Sequence, residues 1–167
     1  SCTKSKIGFK GDYDEFTNVE GSSSNSEIKK APCEDGFAGE YPCKGYDLIA
    51  HISLSDFESE SGNDSWGWTD SENQKEYVLM GLDDGTGFVD ISDPENPMFL
   101  GKLLSATSKS IWRDIKVYKD HAFIVSEAEN HGLQVFDLKK LRGVEEKKNF
   151  ESDATLNTFG NAHNIAI

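Results

Sequence analysis

The sequence predicts an all-β fold built from a repeated unit of short antiparallel strands, and three observations carry that prediction. Glu76 to Leu103 (EYVLMGLDDGTGFVDISDPENPMFLGKL) and His121 to Leu141 (HAFIVSEAENHGLQVFDLKKL) share one order: apolar strand, polar turn, apolar strand ending in Asp. The matches keep nearly constant spacing: Tyr77-Val78-Leu79 meets Ala122-Phe123-Ile124 at a shift of 45, and Phe88-Val89-Asp90 meets Val135-Phe136-Asp137 at 47. A further start, Ala162-His163-Asn164-Ile165-Ala166-Ile167, aligns with Trp112 to Val117 at a shift of 50. One small sheet cannot bury both faces alone, so a repeat of this length made of strands predicts sheets stacked as propeller-like blades. The sequence holds two blades and the start of a third, which leads us to expect a fragment of a longer protein.

Along the chain, residues 1–31 read as a disordered tether, with little apolar periodicity and the run Gly21-Ser22-Ser23-Ser24-Asn25-Ser26. Cys2, in Ser1-Cys2-Thr3, has the setting of a bacterial lipoprotein cysteine that becomes lipid-modified. Residues 32–63 form a lead-in module. Its loop PCEDGFAGEYPC places Cys33 and Cys43 at a spacing unlike paired zinc thiolates, and a local disulfide is the better reading. Such a bridge implies an oxidising compartment. Tyr46 to Leu54 reads as a strand or a short helix, because periodicity cannot separate the two at this length. Glu58 to Asp64 reads as a polar loop.

The blades occupy residues 64–167. Ser65 to Asp70 leads a strand, Ser71 to Gln74 turns, and Glu76 to Gly81 is the next strand. Asp83-Asp84-Gly85-Thr86-Gly87 is a turn whose glycines are expected to supply positive φ. After Phe88 to Ile91, Pro94 and Pro97 force an exit from the ladder before Met98 to Leu103. The second unit runs through strands at Trp112 to Tyr118, His121 to Ser126 and Gly132 to Asp137. Lys119-Asp120 is a tight turn, and Leu138 to Leu141 a short helical turn.

Composition narrows the function. With a net charge of −13 across 167 residues, the chain lacks the clustered Lys and Arg that a nucleic acid partner requires. No apolar run approaches a membrane span, so membrane contact is expected only through a lipid anchor. No GxSxG elbow, phosphate loop or dinucleotide fingerprint is present, and no catalytic residue is assigned. The polar set Arg113, Asp114, His163 and Asn164 sits at equivalent positions of successive units, aligned with Gly67-Trp68 in the first. These residues are candidates for a binding site at one mouth of a central channel, with Trp66 and Trp68 as an aromatic wall. A hydrogen-bond network tying blades together, and core packing of the two tryptophans, account for the same residues. Asp83 and Asp84 with Asp90 or Asp93 offer oxygen ligands for calcium, without the spacing of an EF-hand. No cofactor besides calcium is suggested.

The unit VDISDPENPMFLGKL resembles the LVIVD repeat. The stretches PCEDGFAGEYPCKGYDLIAHISLSDF, NDSWGWTD, SIWRDIKVYKDHAFIVSEAENHGLQVFDLKKLRG and FGNAHNIAI resemble the choice-of-anchor B family of bacterial surface proteins. The resemblance runs from Cys33 to Ile167, about four-fifths of the chain. It departs from the repeat at Asp137-Leu138-Lys139-Lys140, where Asp-Pro is expected. The family implies an exported, surface-attached protein with a longer propeller-like region, and it implies no catalytic residues. The expected function is a non-enzymatic binding or scaffold module at the bacterial cell surface, with a protein or glycan as partner. The alternatives are a hydrolase or lyase using Arg113, Asp114 and His163, and a calcium-stabilised adhesin.

Overall fold

The computed structural model describes residues 30–167. Cys2 and all but the last two residues of the tether lie outside the described residues. The fold is all-β, with antiparallel sheets, no closed barrel and no α-helix among the described residues.

The lead-in module is organised by its cross-link. Cys33 and Cys43 are disulfide-bonded, with Cα atoms 5.9 Å apart. Inside the closed loop, β1 (Phe37–Ala38) and β2 (Tyr41–Pro42) form a small hairpin. Ala31 and Leu48 exchange backbone hydrogen bonds of 3.0 and 2.9 Å, so Ala31, assigned to the tether by sequence, belongs to the module. The stretch from Tyr46 to Leu54 is neither the strand nor the helix that its sequence allows. Apart from Leu48 it finds no neighbouring strand, and its chain instead turns at Ser53–Asp56 to drop Phe57 onto the first sheet.

That sheet is a meander of β3 (Gly62–Thr69), β4 (Glu76–Leu82), β5 (Gly85–Asp90) and β6 (Met98–Leu104). The strand β3 takes in the last three residues of the expected polar loop. The second sheet begins with β7 (Arg113–Tyr118), β8 (His121–Ser126) and β9 (Leu133–Asp137), followed by a 3₁₀ turn at Leu138–Leu141. Two strands that the sequence did not suggest then complete the two sheets. β10 (Lys148–Phe150) returns to the first sheet and pairs parallel with β6, whereas β11 (Ala154–Leu156) pairs antiparallel with β9. The resulting orders are β10-β6-β5-β4-β3 and β11-β9-β8-β7.

Local chemistry explains most of these boundaries. Lys119 and Asp120 both take positive φ, 46° and 61°, the mirror-image turn that matches strand twist. The glycines of the β4–β5 turn act differently from expectation. Asp83-Asp84 alone makes the turn, and Gly85 and Gly87 lie within β5. Gly87 leaves room for the lead-in module, since a Cβ there would meet the Phe57 ring at 3.1 Å. Gly101, at φ +127°, is required outright: a Cβ would sit 1.7 Å from the Lys148 carbonyl, so only glycine lets β10 dock. The Asp that ends the third strand of each meander does the same local job. Asp90 accepts the amide of Ser92 at 2.9 Å, and Asp137 that of Lys139 at 3.0 Å, capping the chain as it leaves the ladder.

The core lies between the two sheets. Phe88 of β5 stacks on Phe136 of β9 at 4.7 Å, and Phe150 of β10 closes on both edge-on. Around them Leu79, Leu100, Ile115 and Ile124 are almost fully buried. Each such side chain contributes roughly 1.5–3 kcal/mol by leaving water. A second cluster, Phe57, Leu82 and Val89, fixes the lead-in module to the first sheet's other face. At the far edge, Arg142 forks onto buried Asp70 at 2.6 and 2.8 Å, and this pairing holds the Asp70 carboxyl below its ordinary range.

Candidate functional site

The inner edges of the two sheets, β3 and β7, carry the polar residues that the sequence singled out. Their true alignment is Asn63-Asp64, Arg113-Asp114 and His163-Asn164, each pair 50 residues from the next. The Gly67-Trp68 equivalence is therefore corrected: the corresponding pair lies four residues earlier. The Asp64 carboxylate accepts the Ile115 amide at 3.0 Å. The Asp114 carboxylate accepts the Ile165 amide at 2.7 Å. Each donor lies 51 residues after its acceptor, so one lock is built twice. Asn63 adds a bracket around the Arg113 backbone, donating to its carbonyl at 2.9 Å and accepting its amide at 3.3 Å.

These residues frame a depression of about 140 Å³, lined by Asn63, Asp64, Trp112, Arg113, Asp114, His163 and Asn164. Asp114 is buried, which alone would raise its pKa. The Lys116 ammonium and the Ile165 amide outweigh burial and hold the carboxyl below its ordinary range, so it is charged. The Asn164 side chain reaches the same carboxylate at 3.4 Å. His163 is exposed, pairs through Nδ1 with the Glu127 carboxylate at 2.5 Å, and lies 5.7 Å from the half-exposed Trp112 ring.

Arg113 does not present its charge to this depression. Its guanidinium is 2% exposed and turned between the sheets, donating to Leu82 O at 2.7 Å and Asp83 O at 3.4 Å. Its third partner is His131 Nε2 at 3.1 Å. Burial lowers the Arg113 pKa to about 10 and also pushes His131 down, so His131 is neutral. Because arginine can only donate, His131 Nε2 accepts, and its Nδ1–H is given to Gly132 O at 3.1 Å. Arg113 is thus a structural pin, and Arg113, Asp114 and His163 do not converge as one catalytic constellation.

The two tryptophans separate. Trp66 is 41% exposed, and the Lys116 ammonium lies 4.4 Å from its ring centroid. Trp68 belongs to the core, stacked 5.0 Å from Tyr77 and donating to Asp120 at 3.1 Å, so it is not part of the mouth. The proposed calcium ligands do not gather. Asp83 and Asp84 sit at one end of β5 and Asp90 at the other, about 20 Å away by strand rise. Each carboxylate is already engaged: Asp83 with Lys109 at 3.0 Å, Asp84 with Lys102 at 2.6 Å, Asp90 with Lys75 at 2.7 Å and Asp93 with Asn96 at 2.9 Å. Among the described residues no cluster of three His, Cys, Asp or Glu could hold a metal.

Sequence reasoning missed Asn63, Asp64, Lys116 and Glu127. A signal for the first two existed, since NDSW, RDIK and HNIA align at a constant shift of 50. Lys116 and Glu127 carried no such mark, because only folding brings Glu127 beside His163. Comparison with known protein families, curated proteins and solved structures finds no match.

Proposed function

We propose that the chain is part of an exported, surface-anchored β-propeller of the LVIVD type, acting as a non-enzymatic binding or scaffold module. The observation that carries this reading is the duplicated lock: Asp64 onto Ile115, then Asp114 onto Ile165. A carboxylate that fastens each inner strand to the next is the device by which successive blades would be set around a common axis. Strand register supports it further. The face of the second sheet turned away from the first carries Lys116, Phe123, Val125, Leu133 and Val135, with half-exposed Tyr118 at its end. With Asp64 placed on Asp114, strand register puts Leu79 on Phe123, a shift of 44 rather than the 45 of the sequence match, and Phe88 on Val135. These positions thus correspond to those by which the first sheet meets the second, so a further sheet is the cover that fits them.

The disulfide supports export to an oxidising compartment, and Cys2 supplies the lipid anchor in this reading. The exposed edge residues Trp66, Trp112, His163 and Asn164, with the buried Asp114 carboxylate beneath them, form the mouth at which a protein or glycan partner would be met. The test is detergent-phase partition of the natural protein combined with surface labelling of intact cells. Recovery in the detergent phase with surface label is expected. Recovery in the aqueous phase with an unmodified Cys2 would overturn the anchored reading.

A further inference from the structure

A second concavity lies at the opposite edge of the first sheet. It is a cleft of about 430 Å³ between the lead-in module, the β5–β6 loop and β6, about three times the volume of the mouth depression. Its position is separate from the mouth, because β3 and β6 are three strand spacings apart, about 14 Å. We propose that this cleft binds a neutral oligosaccharide. The proposal gives the binding-module reading a ligand class and rests on that reading only to that extent.

The volume falls within the range of small-ligand sites, roughly 300–1,000 Å³. The walls combine two chemistries. Phe99, packed edge-on against Phe57 at 4.9 Å and with the Lys147 ammonium 5.9 Å from its ring centroid, and Pro97 give the apolar part of the surface. His51, Asp56, Glu95 and Lys147 supply donors and acceptors around it. A sugar ring needs this pairing, with a C–H face for the aromatic surface and hydroxyls that both donate and accept.

The electrostatics argue for a neutral ligand. Glu95 is paired with Lys30 at 2.8 Å, and Lys147 with the Glu58 carboxylate. Asp56 accepts from the Ser53 amide at 3.0 Å and its hydroxyl at 2.9 Å. A charged ligand would have to break an existing pair. A hydroxyl can add to a paired carboxylate, which has lone pairs to spare. The cleft is also preorganised: His51 is held by the Tyr41 hydroxyl at 3.4 Å, with the two rings 5.3 Å apart, and Tyr41 sits inside the disulfide loop. Preformed walls lower the ordering cost of binding.

The test is saturation-transfer NMR of the full chain against malto-, cello-, manno-, galacto- and chito-oligosaccharides, with uronic-acid oligomers as charged counterparts. Titrations of His51→Ala, Glu95→Gln, Lys147→Met and Asp114→Asn then follow, each with its amide spectrum checked for intact folding. At least one neutral oligosaccharide is expected to bind and to shift amides around His51, Glu95 and Phe99. The cleft substitutions should raise Kd tenfold or more, and Asp114→Asn should leave it within twofold. Binding by none of the neutral oligomers, or only by the uronic acids, would overturn the proposal. A neutral sugar lost in Asp114→Asn but kept in the cleft variants would move recognition to the mouth, overturning the cleft while leaving the binding module standing.

Discussion

Removing the Asp64 carboxylate should loosen the seam between the two sheets by a calculable amount. The Ile115 amide is buried at the edge of β7, and it points out of the β7–β8 ladder to its acceptor on Asp64. A hydrogen bond to a charged group contributes about 1.5–3 kcal/mol, and an orphaned buried donor costs about 1–3 kcal/mol. Asp64→Ala should therefore cost about 2 kcal/mol, a fall in melting temperature of about 4–8 °C for a domain of this size. Asp64→Asn keeps an acceptor and should lose about half as much. Asp114→Ala releases the Ile165 amide, which lies in a segment without a strand ladder. It also releases the Lys116 ammonium, which keeps the Ile115 carbonyl and the Trp66 ring. Its effect should therefore be smaller and show mainly at residues 161–167 and around Lys116. Urea denaturation followed by tryptophan fluorescence gives the global cost, and hydrogen exchange at Ile115 and Ile165 gives the local one. An Asp64→Ala protein within about 0.5 kcal/mol of the parent, or an Asp114→Ala protein less stable than Asp64→Ala, would refute the reasoning.

Three further outcomes are expected. Since burial keeps His131 neutral and its pKa depressed, the unfolded chain binds its proton more readily. Stability should be complete above about pH 6.5 and fall by up to about 1.4 kcal/mol per pH unit below it; the slope difference between parent and His131→Gln in denaturation across pH 5–7 checks this. Reducing the protein, or replacing Cys33 and Cys43 by Ser, should cost about 3 kcal/mol in the loop-entropy picture and expose the lead-in module to protease before the sheets. Calcium and EDTA should leave the melting temperature unchanged, because Asp83, Asp84 and Asp90 already face lysines; a rise of several degrees with calcium would show a site that these pairs exclude.

The meander strands were legible because alternation and turn chemistry are local. Tyr77-Val78-Leu79, the Lys119-Asp120 turn and the Asp-capped strand ends all announce themselves within a few residues. The disulfide was legible for the same reason. What was hidden depends on partners distant in sequence. Lys148–Phe150 is too short and polar to mark a strand, and it pairs with β6 only because Gly101 leaves space for it. Arg113 reads from sequence either as a binding-site cation or as a member of a network tying blades together. Its carbonyl partners at Leu82 and Asp83 lie thirty residues upstream, and they draw the side chain inward. Trp66 and Trp68 do share a face, as alternation requires, yet Trp68 meets Tyr77 and Asp120 while Trp66 meets Lys116 at the edge.

The most direct test of the propeller reading is a crystal structure of the natural protein isolated from its source. The account predicts β3 and β7 side by side about an axis, with the Ile165 segment held by Asp114 as the inner edge of a third sheet. That sheet should pack on Phe123, Leu133 and Val135. A natural protein in which that face is open to water, or covered by an element other than a sheet of the same orientation, would contradict it.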